Sequence, residues 1–375
     1  MKILIISHEF PPIGGGGANA CMYLSKHYAE VGNEVTLITS AYQNLEKIEY
    51  IYGVKIIRVN SKRKYKDHCG FGEMLSFLMK ALPRAEKEEK ICKFDICHVF
   101  FGIPSGPIGY YLKKKYHLPY VIRFGGGDIP GFQERFVLIY KLLSPFVKII
   151  WNNADALVAN SEGLKLFAQN FYRKKAISVI CNGVDDKVFI PKYKKKEMNE
   201  IIILFVSRLI ERKGLQFIIP ELKEIQEAVN VPIRLMIVGE GPYRQELEDI
   251  ALENKVSQLI SFEGHKDKNE ILEYYQKGDL FILPSNREGM PNVVLEAMAC
   301  GLPIIMTPCE GSKELISDNG YIDNIQNIKN RIIELCNDSL LRKKMGNRSR
   351  IIIEEKFGWS NVGERYINLF QNIIE

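Results

Sequence analysis

Short apolar segments alternate with helical segments along almost the whole chain, and this rhythm restricts the fold more than any other feature. Apolar strands alternating with helices are typical of a parallel sheet whose faces are both covered by helices. In the first half, the predicted strands are residues 2–7, 34–40, 54–60, 95–101, 119–124, 156–161 and 176–182. In the second half, they are residues 201–207, 233–239, 259–264, 280–285 and 303–308.

The rhythm is interrupted once. Residues 186–200 combine a proline and a lysine cluster with no apolar period, so we predict an interdomain linker there. A chain of 375 residues is long enough for two domains. We therefore predict two α/β domains of similar topology, residues 1–185 and 200–357, followed by a helical end with a break at Gly358-Trp359.

The composition excludes several classes of protein. With 46% hydrophobic and 26% charged residues, the profile is that of an ordinary globular protein. The eight cysteines form no C-x-x-C pair, which argues against a zinc or redox site and fits reduced thiols in the cytosol. The opening segment MKILIISHEFPP is too short in apolar residues for a signal peptide, and no run is long enough to span a membrane.

The first domain is basic, whereas the rest of the chain is slightly acidic. Its basic residues form local runs at Lys62–Lys66, Lys113–Lys115 and Arg173–Lys175. Such runs are usually solvated surface. The alternative is attraction to an anionic membrane surface or to an anionic lipid-linked substrate. Nucleic acid is a weaker interpretation, because no nucleic-acid-binding signature accompanies the charge.

The stretch 279–301 carries the clearest signal of a binding site. A buried strand ends near Pro284, a loop contains Glu288, and Pro291 suits the first position of a helix. From residue 293 to 300 that helix is apolar on every side except at Glu296, so we predict that Glu296 is buried. A buried carboxylate needs a distant cation, backbone N–H groups or a ligand such as a sugar hydroxyl. The alternative is a solvated helix residue.

Three other strand ends carry residues suited to phosphate. Gly14–Gly17 lie between a strand and a helix, where backbone N–H groups can surround a phosphate, although a flexible loop is the alternative. Their spacing is not G-x-G-x-x-G, which weakens a nicotinamide interpretation. Arg208 and Lys213 suit a diphosphate or are solvated cations. Gly239 and Gly241 resemble half of a nucleotide-binding fingerprint.

Together these stretches resemble the retaining glycosyltransferases of family 4, the "group 1" transferases, which have the GT-B fold. The matching segments are SRLIERKG, VGEGPYRQELE, FEGH, PSNREGMPNVVLEAMACGLPII, VANSEGL, ICNGVDDKVF and FGWSNVGERYINLF. Glu288 and Glu296 form the E-x7-E pair of that family. The resemblance implies two tandem Rossmann-like, doubly wound parallel-sheet domains with an interdomain cleft, and a helix at about 359–375 that packs back on the first domain.

The resemblance also implies roles for individual residues. Arg208 and Lys213 would hold the donor diphosphate, Glu288 would contact the donor sugar, and Glu296 would bind the ribose hydroxyls. The other residues implied in donor binding are Gly15, Gly16, Gly239, Gly241, Gly289, Met290, Pro291 and Asn292. Fixed cations and a helix N-terminus would stabilise the leaving diphosphate, so the expected enzyme needs no metal and no cofactor besides its nucleotide-sugar.

One segment departs from the family pattern. Many members carry a His-Gly pair where this chain has RFGGGD at 123–128, so the usual histidine contact to the donor sugar is missing. Asp128 or Arg123 are candidates to replace it. His98 is better explained as a core histidine, whereas His8, just after the first strand, is more apt to face the cleft.

The leading hypothesis is a retaining hexosyltransferase. It would move a sugar from a nucleotide-diphosphate donor to a saccharide or lipid-linked saccharide in bacterial surface polysaccharide or lipopolysaccharide biosynthesis. We expect it in the cytoplasm, with peripheral attachment to the inner face of the membrane through the basic domain. The alternatives are a UDP-sugar 2-epimerase of the same fold, which would convert the donor without an acceptor, and a non-catalytic sugar-nucleotide-binding protein.

Overall fold

The computed structural model describes residues 1–66, 69–132, 137–192, 200–267 and 269–375. The chain forms two compact units. The first contains Met1–Asn182 together with Trp359–Glu375, and the second contains Gly183–Gly358. Each unit has its own β-sheet with helices packed against it.

The first unit contains an eight-stranded sheet. Its strands are β1 Lys2–Ile6, β2 Glu34–Ser40, β3 Ile48–Ile51, β4 Val54–Val59, β5 Ile96–Phe100, β6 Tyr120–Arg123, β7 Ala156–Ala159 and β8 Ile177–Val179. The order is β3-β4-β2-β1-β5-β6-β7-β8, and every pairing is parallel except that of β3 with β4. The sequence prediction missed β3, because this edge strand is only partly buried and lacks an apolar run.

The helices of the first unit are α1 Gly16–Glu30, α2 Phe71–Cys92, α3 Gly106–Tyr116, α4 Val137–Asn153, α5 Glu162–Phe171 and, from the chain end, α13 Trp359–Ile374. Helix α2 continues through Pro83, although a proline inside a helix removes one backbone hydrogen bond and often kinks or breaks the helix. Pro83 and Met79, whose carbonyl loses its helical partner, are both exposed, so water can satisfy that carbonyl.

The sheet of the first unit separates two apolar layers. Leu4 and Ile6 of β1 contribute to one layer, whereas Ile3 and Ile5 point into the other. This alternation follows from the two-residue period of a strand. Helix α13 belongs to the second layer through Tyr366 and other buried residues, so the end of the chain is part of the core of the first unit.

The second unit contains a six-stranded parallel sheet. Its strands are β9 Ile201–Val206, β10 Ile233–Val238, β11 Ile260–Gly264, β12 Leu280–Leu283, β13 Ile304–Met306 and β14 Gly320–Ile322. Its helices are α6 Leu222–Glu227, α7 Arg244–Glu253, α8 Ile271–Lys277, α9 Asn292–Ala299, α10 Ser312–Leu315, α11 Ile328–Asn337 and α12 Ser339–Ile352, which ends in a π-helical turn, Ile353–Phe357. The 3-10 turns are Glu211–Lys213, Leu215–Phe217, Ile219–Glu221, Ser257–Leu259 and Ile325–Asn327.

The strand order of the second unit, β11-β10-β9-β12-β13-β14, determines where a ligand can bind. From β9 the chain adds β10 and then β11 on one side, and it then returns to add β12 on the other side of β9. In parallel α/β sheets, ligands bind at the carboxyl ends of the strands where the order reverses in this way. The loops after β9, β10 and β12 therefore share one edge of the sheet.

The segment that follows the first unit differs from the predicted linker. Val184 forms a β-bridge with Gly358, and Phe189 packs edge-on against Tyr275. Arg350 donates hydrogen bonds to the carbonyls of Asp186 and Phe189, at 3.0 and 2.8 Å. Residues 186–192 thus pack on the second unit, because an arginine distant in sequence holds their backbone. Residues 193–199 of the predicted linker lie outside the described residues.

Candidate functional site

The loop after β9 packs directly against the end of β12. Gly214 has a φ of +80°, and a Cβ there would collide with the carbonyl of Pro284. The N–H of Asn286 donates to the carbonyl of Arg212 at 3.1 Å. These contacts place Lys213, at the end of a 3-10 turn, beside the loop that carries Glu288.

Lys213 and Glu288 form an ion pair, and each side chain is only 12% exposed. Ser285 donates a hydrogen bond from Oγ to Oε1 of Glu288 at 2.8 Å, and the Glu288 N–H donates to Oε2 of Glu310 at 3.2 Å. A largely desolvated charge pair costs free energy unless hydrogen bonds support it. An ammonium has three N–H donors, so Lys213 can hold Glu288 and a phosphate oxygen together.

Glu296 lies one helix further along, on α9, and is half-buried. Glu296 is thus less buried than predicted: its neighbours Leu295 and Ala297 are buried, but α9 leaves the side of Glu296 partly open. The hydroxyl of Tyr275, from α8, donates to Oε2 of Glu296 at 2.6 Å. Burial, and then the adjacent carboxylate, raise the pKa of Tyr275 well above its ordinary value, so the hydroxyl keeps its proton.

Arg208 is exposed, two residues beyond β9. The turn after β10 packs against Ser207 and Leu209, the residues on either side of Arg208. A Cβ on Gly239 would collide with the carbonyl of Ser207, and a Cβ on Gly241 would collide with that of Leu209. The N–H of Leu209 also donates to the carbonyl of Glu240 at 2.9 Å. Both glycines therefore allow the turn after β10 to approach the Arg208 loop closely. The N–H of Gly239 donates to the carbonyl of Gly264.

The loop between β12 and α9 begins the helix one residue later than predicted. Pro291 is the N-cap, with φ −77° and ψ 107°, and Asn292 is the first helical residue. An extended ψ at proline fits a cap better than a first helical position. Met290 and Pro291 are buried, and a Cβ on Gly311 would collide with the carbonyl of Gly289. The first N–H groups of α9 lie at the same sheet edge, where a helix N-terminus favours an anion.

In the first unit, the glycine loop starts helix α1. Gly15 is the N-cap and Gly16 the first helical residue, and both are exposed. A Cβ on Gly15 would meet no atom of the described residues within 4 Å. Packing within the first unit therefore does not require glycine at this position. Gly17 differs, because a Cβ there would press on the ring of Phe101.

His8 follows β1 and is buried, with its ring edge-on to Phe101 at 4.8 Å. Burial lowers the pKa of His8 to about 4, although Glu9 nearby opposes this shift. The imidazole is therefore neutral at pH 7. Within the described part of the chain, Nδ1 of His8 has no hydrogen-bond partner.

His98 is a core histidine, as predicted, and Arg123, a candidate for sugar contact, is also buried in the core. His98 is fully buried in β5 among the rings of Phe100, Tyr366 and Phe370, and burial holds its pKa well below the ordinary value. Arg123 is buried as well; it donates to Asn182 and lies 5.3 Å from the ring centre of Phe100. Both side chains are used inside the core.

Asp128 is also buried, and its carboxylate organises the glycine segment around it. It accepts hydrogen bonds from the N–H groups of Gly102 at 2.6 Å and Gly125 at 2.8 Å. Burial raises its pKa even though these N–H groups act in the opposite direction. Asp128 therefore shapes the loop by holding two backbone segments together.

Two family models match successive parts of the chain: Glycosyltransferase Family 4 matches residues 14–188, and Glycosyl transferases group 1 matches residues 186–351. The chain belongs to the group 1 glycosyltransferases. An uncharacterized glycosyltransferase of Methanocaldococcus jannaschii is 27% identical over 96% of this chain and 95% of its own. The N-acetyl-alpha-D-glucosaminyl L-malate synthase of Bacillus anthracis is 25% identical over 100% of this chain and 98% of its own.

Solved structures confirm the predicted GT-B fold of this glycosyltransferase. Sucrose-phosphate synthase from Thermosynechococcus elongatus superposes with a TM-score of 0.82 at 20% identity, over 100% of this chain and 99% of that chain. HepE from Anabaena, solved in complex with UDP and glucose, superposes with a TM-score of 0.76 at 17% identity, over 99% of this chain and 100% of that chain.

Sequence reasoning missed three side chains of the candidate site: Tyr275, Ser285 and Glu310. Tyr275 meets Glu296 across 21 residues of sequence, and Glu310 meets the Glu288 backbone across 22. No local pattern marks such pairs. Ser285 is closer, since a hydroxyl between the strand and Glu288 was visible in the sequence.

The described residues contain no group of three or more His, Cys, Asp or Glu placed to bind a metal ion. The same residues include no helix that is both long and apolar enough to cross a bilayer.

Proposed function

We propose that this glycosyltransferase moves a sugar, with retention of anomeric configuration, from a nucleotide diphosphate to a saccharide or lipid-linked saccharide. The observation that carries the proposal is the Lys213–Glu288 pair at the carboxyl edge of β9 and β12, with Glu296 on the helix that follows. This arrangement offers cations for a diphosphate and carboxylates for hydroxyl groups at one sheet edge.

The diphosphate is bound by Arg208, Lys213 and the N-terminus of α9. Arg208 is exposed at the sheet edge, where its guanidinium can bind two phosphate oxygens. Lys213 is held in place by Glu288 before any ligand arrives. Preorganised cations stabilise the negative charge that develops on a leaving diphosphate, and in this role they replace a metal ion.

The two carboxylates bind hydroxyl groups. Tyr275 holds one oxygen of Glu296, which orients the other for a ribose hydroxyl. Glu288 accepts from Ser285 and pairs with Lys213, so its carboxylate is oriented toward the diphosphate end of the donor, where the sugar is attached. Gly289 and Asn292 contribute backbone groups to the same loop.

The transfer step breaks the bond between the anomeric carbon and the donor phosphate oxygen and forms a bond to an acceptor hydroxyl oxygen. The acceptor attacks the face from which the phosphate leaves, which retains the configuration. The departing phosphate oxygen takes the acceptor proton, so no protein base is required. The nucleoside diphosphate leaves with its charge balanced by Arg208 and Lys213.

Relatives and neighbours support this class of substrates. A relative from Corynebacterium glutamicum, 28% identical over 99% of this chain and 98% of its own, is named as a GDP-mannose-dependent mannosyltransferase acting on a phosphatidylinositol mannoside. HepE was solved with UDP and glucose. We propose an acceptor in bacterial surface polysaccharide or lipopolysaccharide assembly and a cytoplasmic site of action, which suits the eight free cysteines.

The test is release of nucleoside diphosphate from UDP- and GDP-sugars, with and without saccharide acceptors. Lys213→Ala and Glu296→Ala are expected to lower kcat/KM about 100-fold or more. Lys329→Ala is the matched control, because Lys329 is also ion-paired, to Glu221 and Glu224, in the second unit. Equal activity of Lys213→Ala and Lys329→Ala would refute the assigned site.

Two further readouts test the mechanism. NMR of the product should show the anomeric configuration of the donor, and transfer should persist in excess EDTA. Inverted product would refute retention. Conversion of the donor sugar without acceptor would instead favour the epimerase, and tight donor binding without transfer to any acceptor would favour a binding protein.

A further inference from the structure

Helix α4 of the first unit exposes a continuous apolar stripe. Leu138 and Leu142 are each 82% exposed, and Phe146 and Ile149 are 42% and 47% exposed. These positions are separated by three or four residues, so they lie on one side of a helix. Large apolar side chains exposed together in this way mark an interaction surface.

The opposite side of α4 is anchored in the core. Val147, Ile150 and Trp151 are fully buried, and Tyr140 is almost so. The helix is therefore apolar on both sides, but only one side is packed against the unit. A helix that is apolar all round is normally covered on all sides, whereas the described residues of the first unit leave the outer stripe exposed.

The charges beside the stripe indicate what covers it. Helix α4 carries Lys141 and Lys148, both exposed and two helical turns apart on one flank, and its sequence contains no Asp or Glu. Apolar side chains on one face with lysines at its border suit the interface of an anionic bilayer, where the lysines reach the headgroups. In a symmetric dimer through this stripe, lysines of both copies would come together without a carboxylate on either helix.

The basic runs of the first domain give weaker support for a membrane-binding site than helix α4 does. Lys113 pairs with Asp155 at 2.6 Å and Lys115 with Glu86 at 2.7 Å. Lys175 donates to the carbonyl of Ala154. These cations are engaged by the first unit itself, so net charge alone does not define a membrane-binding site.

We propose that the outer face of α4, formed by Leu138, Leu142, Phe146 and Ile149 with Lys141 and Lys148, docks the first unit on an anionic lipid bilayer. The apolar side chains enter the boundary between headgroups and acyl chains, and the two lysines contact lipid phosphates. The proposal is independent of the donor site, because every residue in it belongs to the first unit.

The experiment is co-sedimentation of the full-length protein with mixed phosphatidylcholine–phosphatidylglycerol vesicles, with pure phosphatidylcholine vesicles in parallel. Wild type should bind the mixed vesicles much more tightly. Transfer of one leucine side chain from water contributes a factor of about ten when complete, so L138S/L142S should weaken binding at least about tenfold. The variant K141E/K148E should lose the preference for anionic lipid.

The matched control is Leu166→Ser, which removes an exposed leucine from α5 in the same unit. It should bind vesicles like wild type. Circular dichroism and nucleotide binding by the second unit show that each variant is folded. Equal vesicle binding by wild type and L138S/L142S would overturn the proposal. A wild-type dimer that L138S/L142S converts to a monomer, without vesicle binding by either, would assign the stripe to a second copy and also overturn it.

Discussion

Removing the hydroxyl of Tyr275 tests whether this buried tyrosine orients the carboxylate of Glu296. Tyr275→Phe keeps the ring, which packs 5.7 Å from Phe189 and 6.2 Å from Phe281 between ring centres. The substitution deletes one hydrogen bond of 2.6 Å to a carboxylate. It leaves no buried donor behind, because the donor itself is removed.

The expected cost follows from the type of bond. Hydrogen bonds to charged groups contribute about 1.5–3 kcal/mol. Glu296 is partly exposed, so water replaces part of the lost interaction, and we expect a loss of about 1–2 kcal/mol in the free energy of unfolding, around the bottom of that range. For a unit of this size that corresponds to a fall in Tm of about 3–6 °C.

The functional effect should appear in nucleotide binding. Without Tyr275, Glu296 samples other rotamers, and binding of the nucleoside diphosphate should weaken by about 5- to 20-fold, which corresponds to about 1–2 kcal/mol. Isothermal titration calorimetry measures this affinity, and urea unfolding measures stability. In a double-mutant cycle with Glu296→Gln, the coupling between the two positions should be about 1–2 kcal/mol.

Tyr274→Phe is the control, since Tyr274 is the adjacent residue on α8 and its ring lies near Lys277, 4.9 Å from the ring centre. It should leave nucleotide affinity and Tm near the wild-type values. If Tyr275→Phe binds nucleotide as wild type does, or if the coupling to Glu296 is zero, the inferred orientation of Glu296 is wrong.

Two further outcomes follow from buried groups and tight turns. Folded His8 has a pKa of about 4 and unfolded histidine about 6.5, so below pH 6.5 the unfolded chain binds the extra proton, and stability falls by up to about 3 kcal/mol toward pH 4. His8→Gln should flatten this slope in urea unfolding measured from pH 7 to pH 4.5; an unchanged slope would contradict the assignment. Gly214→Ala should lower stability by about 2–4 kcal/mol, because of its positive φ and the collision with the Pro284 carbonyl. Gly72→Ala, in open space on α2, should be neutral or slightly stabilising; equal Tm values for the two variants would refute the collision.

Much of the fold was predictable because its signals are local. Buried parallel strands need continuous apolar runs, so β1, β9 and β12 were recognisable from a few adjacent residues. Strands β3 and β14 were missed because both lie at sheet edges, are only partly buried and lack a continuous apolar run. The spacing of Glu288 and Glu296 is also visible in the sequence, since only the end of a loop and the first turn of α9 separate them.

The partners of polar groups are a different kind of information. His98 lies in a strand and His8 lies just after one. The residues next to His98 in the sequence do not show that Phe100, Tyr366 and Phe370 together surround its ring. The contact between Lys213 and Glu288 joins residues 75 apart. Such pairs form because the order of strands places β9 beside β12, and strand order is settled by packing of whole layers. Residue type and period therefore specify most of the buried elements and their buried faces, whereas the packed sheet selects which charged and hydroxyl groups meet.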